Sequence, residues 1–206
     1  MSILTLNAFL SLDGVMQAPG APDEDTSGDF LHGGWLVPYA DDDMGRIVVE
    51  SFARADAFLL GRTTYQIFAA HWPRVTDAAD PVAGALNRLP KHVASTTLDA
   101  VEWNNSSLIR GDVVKAVGQL KARYERELQV HGSIGLVQTL IANDLIDELR
   151  LFHYPVVLGT GKRLFGTGAA PAAMTLVESR TTSTGVVYAR YRLAGKPTYG
   201  SFALDG

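Results

Sequence analysis

The stretch from Leu128 to Phe165, LQVHGSIGLVQTLIANDLIDELRLFHYPVVLGTGKRLF, constrains this chain most, because strand-like and helix-like patterning follow one another without a break. Leu128 and Val130 read as a short buried strand ending at His131. Gly132 and Ser133 form a small polar turn, with Ser133 placed to cap a helix. Ile134, Leu136, Val137, Leu140 and Ile141 recur at a 3.6-residue period and give that helix one apolar face. Asn143 fits a left-handed C-terminal cap. Ile146 to Leu158 is apolar almost throughout, as expected of a strand inside a covered sheet.

A strand that passes through a Gly turn into a helix start makes a small anion site. The first backbone N–H groups of the helix lack partners, and the helix dipole favours negative charge there. Gly132 would let a phosphate oxygen approach the backbone. From this turn alone, a tight bend that simply requires glycine is an equally good reading.

The chain of 206 residues suits one domain with a substantial core. A net charge of −4 argues against a nucleic-acid partner, since phosphate neutralisation needs a basic surface. There is no cysteine, which excludes disulfides, thiolate zinc sites and cysteine nucleophiles. No apolar run is long enough to span a bilayer, and the first residues lack a signal-peptide pattern. A cytoplasmic location is the expectation.

Along the chain, Ile3 to Leu10 reads as a first strand with Ser11-Leu12-Asp13-Gly14 as its exit turn. Val15 to Tyr39 is a long Gly- and Pro-punctuated loop, a length usually tied to function or mobility. Asp41 to Asp43 precede a helix through about Ala53, with Met44, Ile47, Val48 and Phe52 as its buried stripe. Acidic residues there need no function, because they complement the dipole. Ala57 to Leu60 is a strand ending at Gly61, and Arg62-Thr63-Thr64-Tyr65 opens a helical turn. Pro73 to Pro90 reads as a polar surface connection. Lys91 to Ser95 and Ser107 to Arg110 are short strands, and Gly111-Asp112 starts another helix. Met174 to Thr181 and Gly185 to Leu193 read as an antiparallel hairpin. The expectation is an α/β domain over 1–195 with a mixed, mostly parallel sheet, followed by a tail over 196–206.

Three strand exits share one chemistry. Gly61-Arg62-Thr63 offers a Gly turn, a guanidinium and a hydroxyl. Ser95-Thr96-Thr97 offers hydroxyls and free N–H groups, and Gly132-Ser133-Ile134-Gly135 a helix start. Ligands of open α/β sheets settle outside the carboxyl ends of the strands, so these exits could converge on one phosphate-bearing ligand. Singly, each reads as a capped turn. Gly159-Thr160-Gly161 fits neither a dinucleotide fingerprint nor a P-loop. Asp23, Asp25, Ser27 and Gly28 imitate a calcium loop, but Gly34 stands where its bidentate Glu should be. No metal is expected; His131 and His153 read as hydrogen-bonded core or cleft residues.

The segments G-S-x-x-L, L-x-D-E-L, P-V-V-L-G-x-G and K-R-L-F, with F-L-L-G-R-T-T-Y and the Ser95–Thr97 strand end, resemble the reductase domain of riboflavin biosynthesis and the broader dihydrofolate reductase superfamily. The resemblance covers nearly the whole chain. It implies a single-domain dihydrofolate reductase-like fold, an NADPH cofactor, a small-molecule substrate and a homodimer. Cofactor contacts are implied at Gly61, Arg62, Thr63, Ser95, Thr96, Thr97, His131, Gly132, Ser133, Ile134, Gly135 and Leu136. Substrate contacts are implied at Asn7, Phe9, Gly14, Trp35 and Phe152. Ser11 to Val15 resembles the loop beside the nicotinamide, which makes Asp13 the candidate proton donor; a turn-making Asp before Gly is an equal reading. His32, Trp35 and Tyr39 are placed in a lid.

The sequence departs from the family at the substrate end. His131-Gly132-Ser133 stands where riboflavin reductases carry E-G-G, whose acidic residue meets the ribosyl substrate. Gln66 to Ala70 replaces their D-x-P-x-L-x-x-R, and family members often have Arg where Thr96 stands. Glu50 is the nearest counterpart of the helical carboxylate of folate reductases. Two expectations follow: an NADPH-dependent reductase of a small heterocycle, or a nucleotide-binding module of the same fold without catalysis.

Overall fold

The first strand, β1 (Ile3–Ser11), runs through the middle of the sheet and sorts its side chains to two layers by simple alternation. Leu4, Leu6, Ala8 and Leu10 are buried on one face, where they pack with Val117, Leu120, Val137 and Leu140. Thr5, Asn7 and Phe9 point to the other. The computed structural model describes residues 1–166 and 169–203.

The chain continues as α1 (Asp42–Phe52), β2 (Ala55–Gly61), α2 (Arg62–His71), α3 (Pro81–Arg88), β3 (Lys91–Ala94), β4 (Ser106–Ile109) and α4 (Val113–Arg123). It closes with β5 (Glu127–His131), α5 (Ile134–Ala142), β6 (Glu148–Tyr154), β7 (Met174–Thr181) and β8 (Val187–Leu193). The eight strands form one sheet in the order β4-β3-β2-β5-β1-β6-β8-β7. Pairing is parallel from β4 through β6, then antiparallel for β6–β8 and β8–β7. This is the mixed, mostly parallel sheet with a terminal hairpin that the patterning indicated. No helix among the described residues is long and apolar enough to cross a membrane.

Four expectations about elements are corrected. Pro73 to Pro90 contains α3, started by Asp80, whose carboxylate accepts the N–H groups of Val82 and Ala83, with Pro81 in the first turn. The strand expected over 146–158 is only β6, since Pro155 cannot continue the ladder. Asn143 has φ −112, and the left-handed residue is its neighbour Asp144 at φ 52. Ser133 precedes α5 but makes no side-chain cap. Of the tail, Leu204 to Gly206 lie outside the described residues.

Charge lies where the apolar reading of β6 expected none. Arg150 is buried between Glu127 at 2.6 Å and Glu148 at 3.1 Å, and its Nη1 also donates to Ser51 Oγ at 2.9 Å. Both carboxylates and the guanidinium are therefore satisfied, which is the condition under which buried ions are tolerated. This polar seam runs under α1 toward the carboxyl end of β5.

Candidate functional site

The exits of β2, β3 and β5 open into one cleft of about 870 Å³. All twelve residues assigned to the cofactor line it: Gly61, Arg62 and Thr63; Ser95, Thr96 and Thr97; and His131 through Leu136. Phe9 lines it as well, together with Thr64, Ile67, Phe68, Glu24 and Lys162, which sequence reading did not single out. Thr64 and Phe68 belong to the α2 turn already marked, and the remaining two charged residues belong to segments whose fold places them there.

Two helices begin at this cleft, α2 and α5, and no side chain caps either. The other three begin on Asp41, Asp112 and Asp80, whose carboxylates accept N–H groups of the first turn. The amides at Arg62 to Thr64 and at Ile134 to Leu136 thus have no side-chain cap among the described residues, and both helix dipoles favour an anion there. Arg62 is exposed on the rim and makes no ion pair among the described residues.

Ser133 joins the two helix starts instead of capping one. Its Oγ accepts from Gly61 N at 2.8 Å, while its own N–H donates to Thr64 Oγ1 at 3.1 Å. Positive φ at Gly132 (55) and Ser133 (61) turns the hydroxyl away from the α5 amides and toward β2. A Cβ built on Gly132 would stand 3.3 Å from Thr64 Oγ1 and on Gly61 3.3 Å from Ser133 Oγ, so both glycines keep the turns close together.

At the inner end, the His131 ring stacks on Phe52 at 4.7 Å and Nε2 lies 3.2 Å from Gln129 Oε1. Burial, with the Arg150 charge adding to it, pushes the imidazole down to about 3, so His131 is neutral. Glu24 is half-buried at the cleft, and desolvation raises its pKa above the ordinary carboxyl value. Asp25 lines the same wall but pairs with Lys162 at 2.6 Å.

Several assigned residues sit elsewhere. Asp13 accepts from Ser11 Oγ at 2.6 Å, Leu158 N at 3.1 Å and Gly159 N at 2.9 Å, and pairs with Arg163 at 3.0 Å. These partners, the Ser11 hydroxyl foremost, hold its carboxyl well below the usual range, so it is ionised and has no proton to give. Asp13 ties the β1 exit to the 158–163 segment and does not line the cleft, so the geometry lends no support to its reading as proton donor. Gly14 accepts from Leu164 N at 3.1 Å in the same junction and is likewise outside the lining.

Trp35 is core, not lid: it is buried edge-on against Tyr154 at 5.3 Å, with its indole N–H on Gln17 O at 2.8 Å. Tyr39 packs on the same Tyr154 and His32 on Phe30, away from the cleft lining. Phe152 is buried between Phe9 and Tyr188. Glu50 pairs with Arg180 at 2.7 Å and faces the hairpin instead of the cleft. Asn7 lies beneath α1, directly across from His131 in the β1–β5 register. Among the described residues no group of three or more acidic or histidine side chains could hold a metal ion.

A family model described as the RibD C-terminal domain matches residues 2–188. The uncharacterized protein YyaP of Bacillus subtilis (strain 168) is 29% identical over 163 residues, covering 78% of this chain and 84% of that protein. A putative riboflavin biosynthesis protein from Shewanella sp. PV-4 has a similar structure, with TM-score 0.69, 23% identity and coverage of 93% of this chain and 99% of that one. The diaminohydroxyphosphoribosylaminopyrimidine deaminase/5-amino-6-(5-phosphoribosylamino)uracil reductase of Thermotoga maritima has TM-score 0.62 at 16% identity, over 94% of this chain and 57% of that protein. At these identities the structural likeness is one of fold.

Proposed function

The chain belongs to the RibD C-terminal domain family, and from that premise we propose that it is an NADPH-dependent reductase of a small heterocycle, ribosylaminopyrimidine-like or pteridine-like. One observation carries the reading: two helices without side-chain caps open on the same cleft. That arrangement suits a pyrophosphate, which can accept the open amides of both helix starts at once. Gly61 and Gly132 keep the two turns, and so the two helix starts, close enough together to share one such group. Arg62, Ser95, Thr96 and Thr97 supply charge and hydroxyl donors for a 2′-phosphate further out. When bound, the nicotinamide supplies hydride to an electrophilic carbon of the substrate.

The chain's own residues do the rest. Phe9, Ile67, Phe68 and Leu136 give the cleft apolar walls that exclude water. Glu24, which desolvation keeps protonated to higher pH than an ordinary carboxyl, is the residue we assign to deliver the proton. We take residues 1–195 as one catalytic domain and the protein as cytoplasmic. The hairpin leaves Met174, Leu176, Val177 and Val187 exposed, and we assign this face to a homodimer contact; light scattering that gives a clean monomer at micromolar concentration would count against it.

Calorimetry with NADPH and NADH tests the cofactor, and NADPH is expected to bind more tightly. NADPH oxidation against a pteridine and ribosylaminopyrimidine panel tests catalysis. Tighter NADH binding would refute the 2′-phosphate assignment, and NADPH binding without turnover on any panel member would favour a nucleotide-binding module instead.

A further inference from the structure

Two hydrogen-bond chains run from the buried ion pair, one to His131 in the cleft wall and one to its β1 neighbour Asn7, which is buried outside the cleft lining. Arg150 can only donate, so Ser51 Oγ accepts from its Nη1, and it gives its own proton to Asn7 Oδ1, 2.8 Å away. That leaves Asn7 Nδ2 as a donor, buried and without a partner among the described residues. On the other side, Glu127 can only accept. Gln129 Nε2 therefore donates to it at 2.7 Å and also to Ser51 O at 2.8 Å, which leaves Gln129 Oε1 as an acceptor. The neutral His131 ring must meet that oxygen with Nε2–H, so its Nδ1 is an unprotonated acceptor.

A donor and an acceptor thus stand on paired residues of adjacent strands, Asn7 and His131. Asn7 is itself buried and outside the lining, but it lies two residues before Phe9 on the same face of β1, and both Phe9 and His131 line the cleft. An orphaned buried donor is costly unless a ligand or water meets it.

We propose that Asn7 Nδ2 and His131 Nδ1 together recognise a –CO–NH– edge, the carbonyl accepting from Asn7 and the adjacent N–H donating to His131. The inference deepens the reductase reading and rests on its placement of a ligand in this cleft. Such an edge exists in two sources, the carboxamide of a nicotinamide and the lactam of a pyrimidine or pteridine. A carboxylate or an ester does not fit, because neither offers an N–H to Nδ1.

Two probe pairs separate the sources. NADP⁺ and its 3-acetylpyridine analogue differ in the amide nitrogen; uracil and 1,3-dimethyluracil differ in their N–H groups. Dissociation constants are measured for wild type, His131→Phe and Asn7→Ser. For one pair the wild type should prefer the N–H-bearing member by about tenfold or more, roughly 1.4 kcal/mol. His131→Phe, which keeps a ring against Phe52, should abolish that preference. Asn7→Ser should weaken both members of the pair together, because their carbonyl is common, and leave the ratio intact. A preference confined to NADP⁺ assigns the cofactor amide, and one confined to uracil assigns the substrate. Equal binding within both pairs in wild type, or a preference that survives His131→Phe, overturns the inference. Titration with 2′-phosphoadenosine diphosphoribose, which has no amide, is read separately: its failure to bind removes the NADPH reading, and the uracil pair still decides this one.

Discussion

The five α-helices among the described residues begin in two different ways. Away from the cleft, α1, α3 and α4 each start on an Asp whose carboxylate takes first-turn N–H groups. At the cleft, α2 starts on Gly61 and α5 on Ser133, and neither receives a side-chain cap. The same local problem, unpaired amides at a dipole's positive end, is solved internally in one region and left open in the other. The capped starts are thereby separated in space from the uncapped ones, which share the cleft.

The sharpest way to break this contrast is to give α2 the device its neighbours have. Gly61 has φ −79 and ψ 166, a conformation open to Asp, although the new Cβ would sit 3.3 Å from Ser133 Oγ. Gly61→Asp would place a carboxylate on the amides and repel a phosphate. We expect NADPH affinity to fall about a hundredfold, roughly 2.7 kcal/mol, as read by calorimetry. An affinity within threefold of wild type would detach α2 from the cofactor.

The two regions also differ in their titratable groups, with Asp side chains at the capped starts and the neutral His131 in the cleft. Its imidazole lies near 6.5 unfolded and about 3 folded. Between those values the unfolded chain holds more protons, so the contribution is fully present above about pH 6.5 and is lost as pH falls toward 3. From pH 7 to 5 the loss should be on the order of 1–2 kcal/mol. His92, pushed down to about 4 chiefly by burial, adds in the same direction. His131→Phe should flatten part of the slope in urea titrations at several pH values, and an unchanged slope would show that His131 titrates normally.

Gly132→Val probes the second open start. Its φ of 55 is unfavourable for a β-branched residue, and the added Cβ would press on Thr64 Oγ1. Melting temperature should therefore drop, and NADPH affinity per folded molecule should drop by at least about tenfold, roughly 1.4 kcal/mol. Lower stability with unchanged affinity would return Gly132 to being only a tight turn.

What was legible in the sequence follows the same division. The strand exits could be read because Gly61, Ser95–Thr97 and Gly132 are local signals, and the sheet gathers their ends into one cleft. Ser133 could be placed at the start of α5, but its positive φ, and hence its link to Gly61, arises from the packing of two turns far apart in sequence. Arg150 and Glu148 alternate with apolar neighbours in β6 and cannot be distinguished there from surface charges; Glu127, which neutralises Arg150, is on another strand. Asp13 sits in a recognisable turn, yet its partners Leu158, Gly159 and Arg163 come from the other end of the chain. Asp80-Pro81, a cap followed by a first-turn proline, was a local signal that the reading of Pro73 to Pro90 as a polar connection passed over.

Asp80 also supplies the complementary test, on the capped side of the contrast. It accepts from Val82 N at 2.8 Å and Ala83 N at 3.0 Å, and it does not line the cleft. Asp80→Ala removes those acceptors and leaves Pro81 to hold the first turn. The expected cost is about 1 kcal/mol of stability, visible as a shifted urea midpoint with unchanged slope. Cofactor affinity should stay at the wild-type value, since α3 contributes neither amides nor charge to the cleft. If Asp80→Ala weakens NADPH binding as much as Gly132→Val does, then helix starts act on the ligand through global stability alone, and the division between capped and open starts loses its functional meaning.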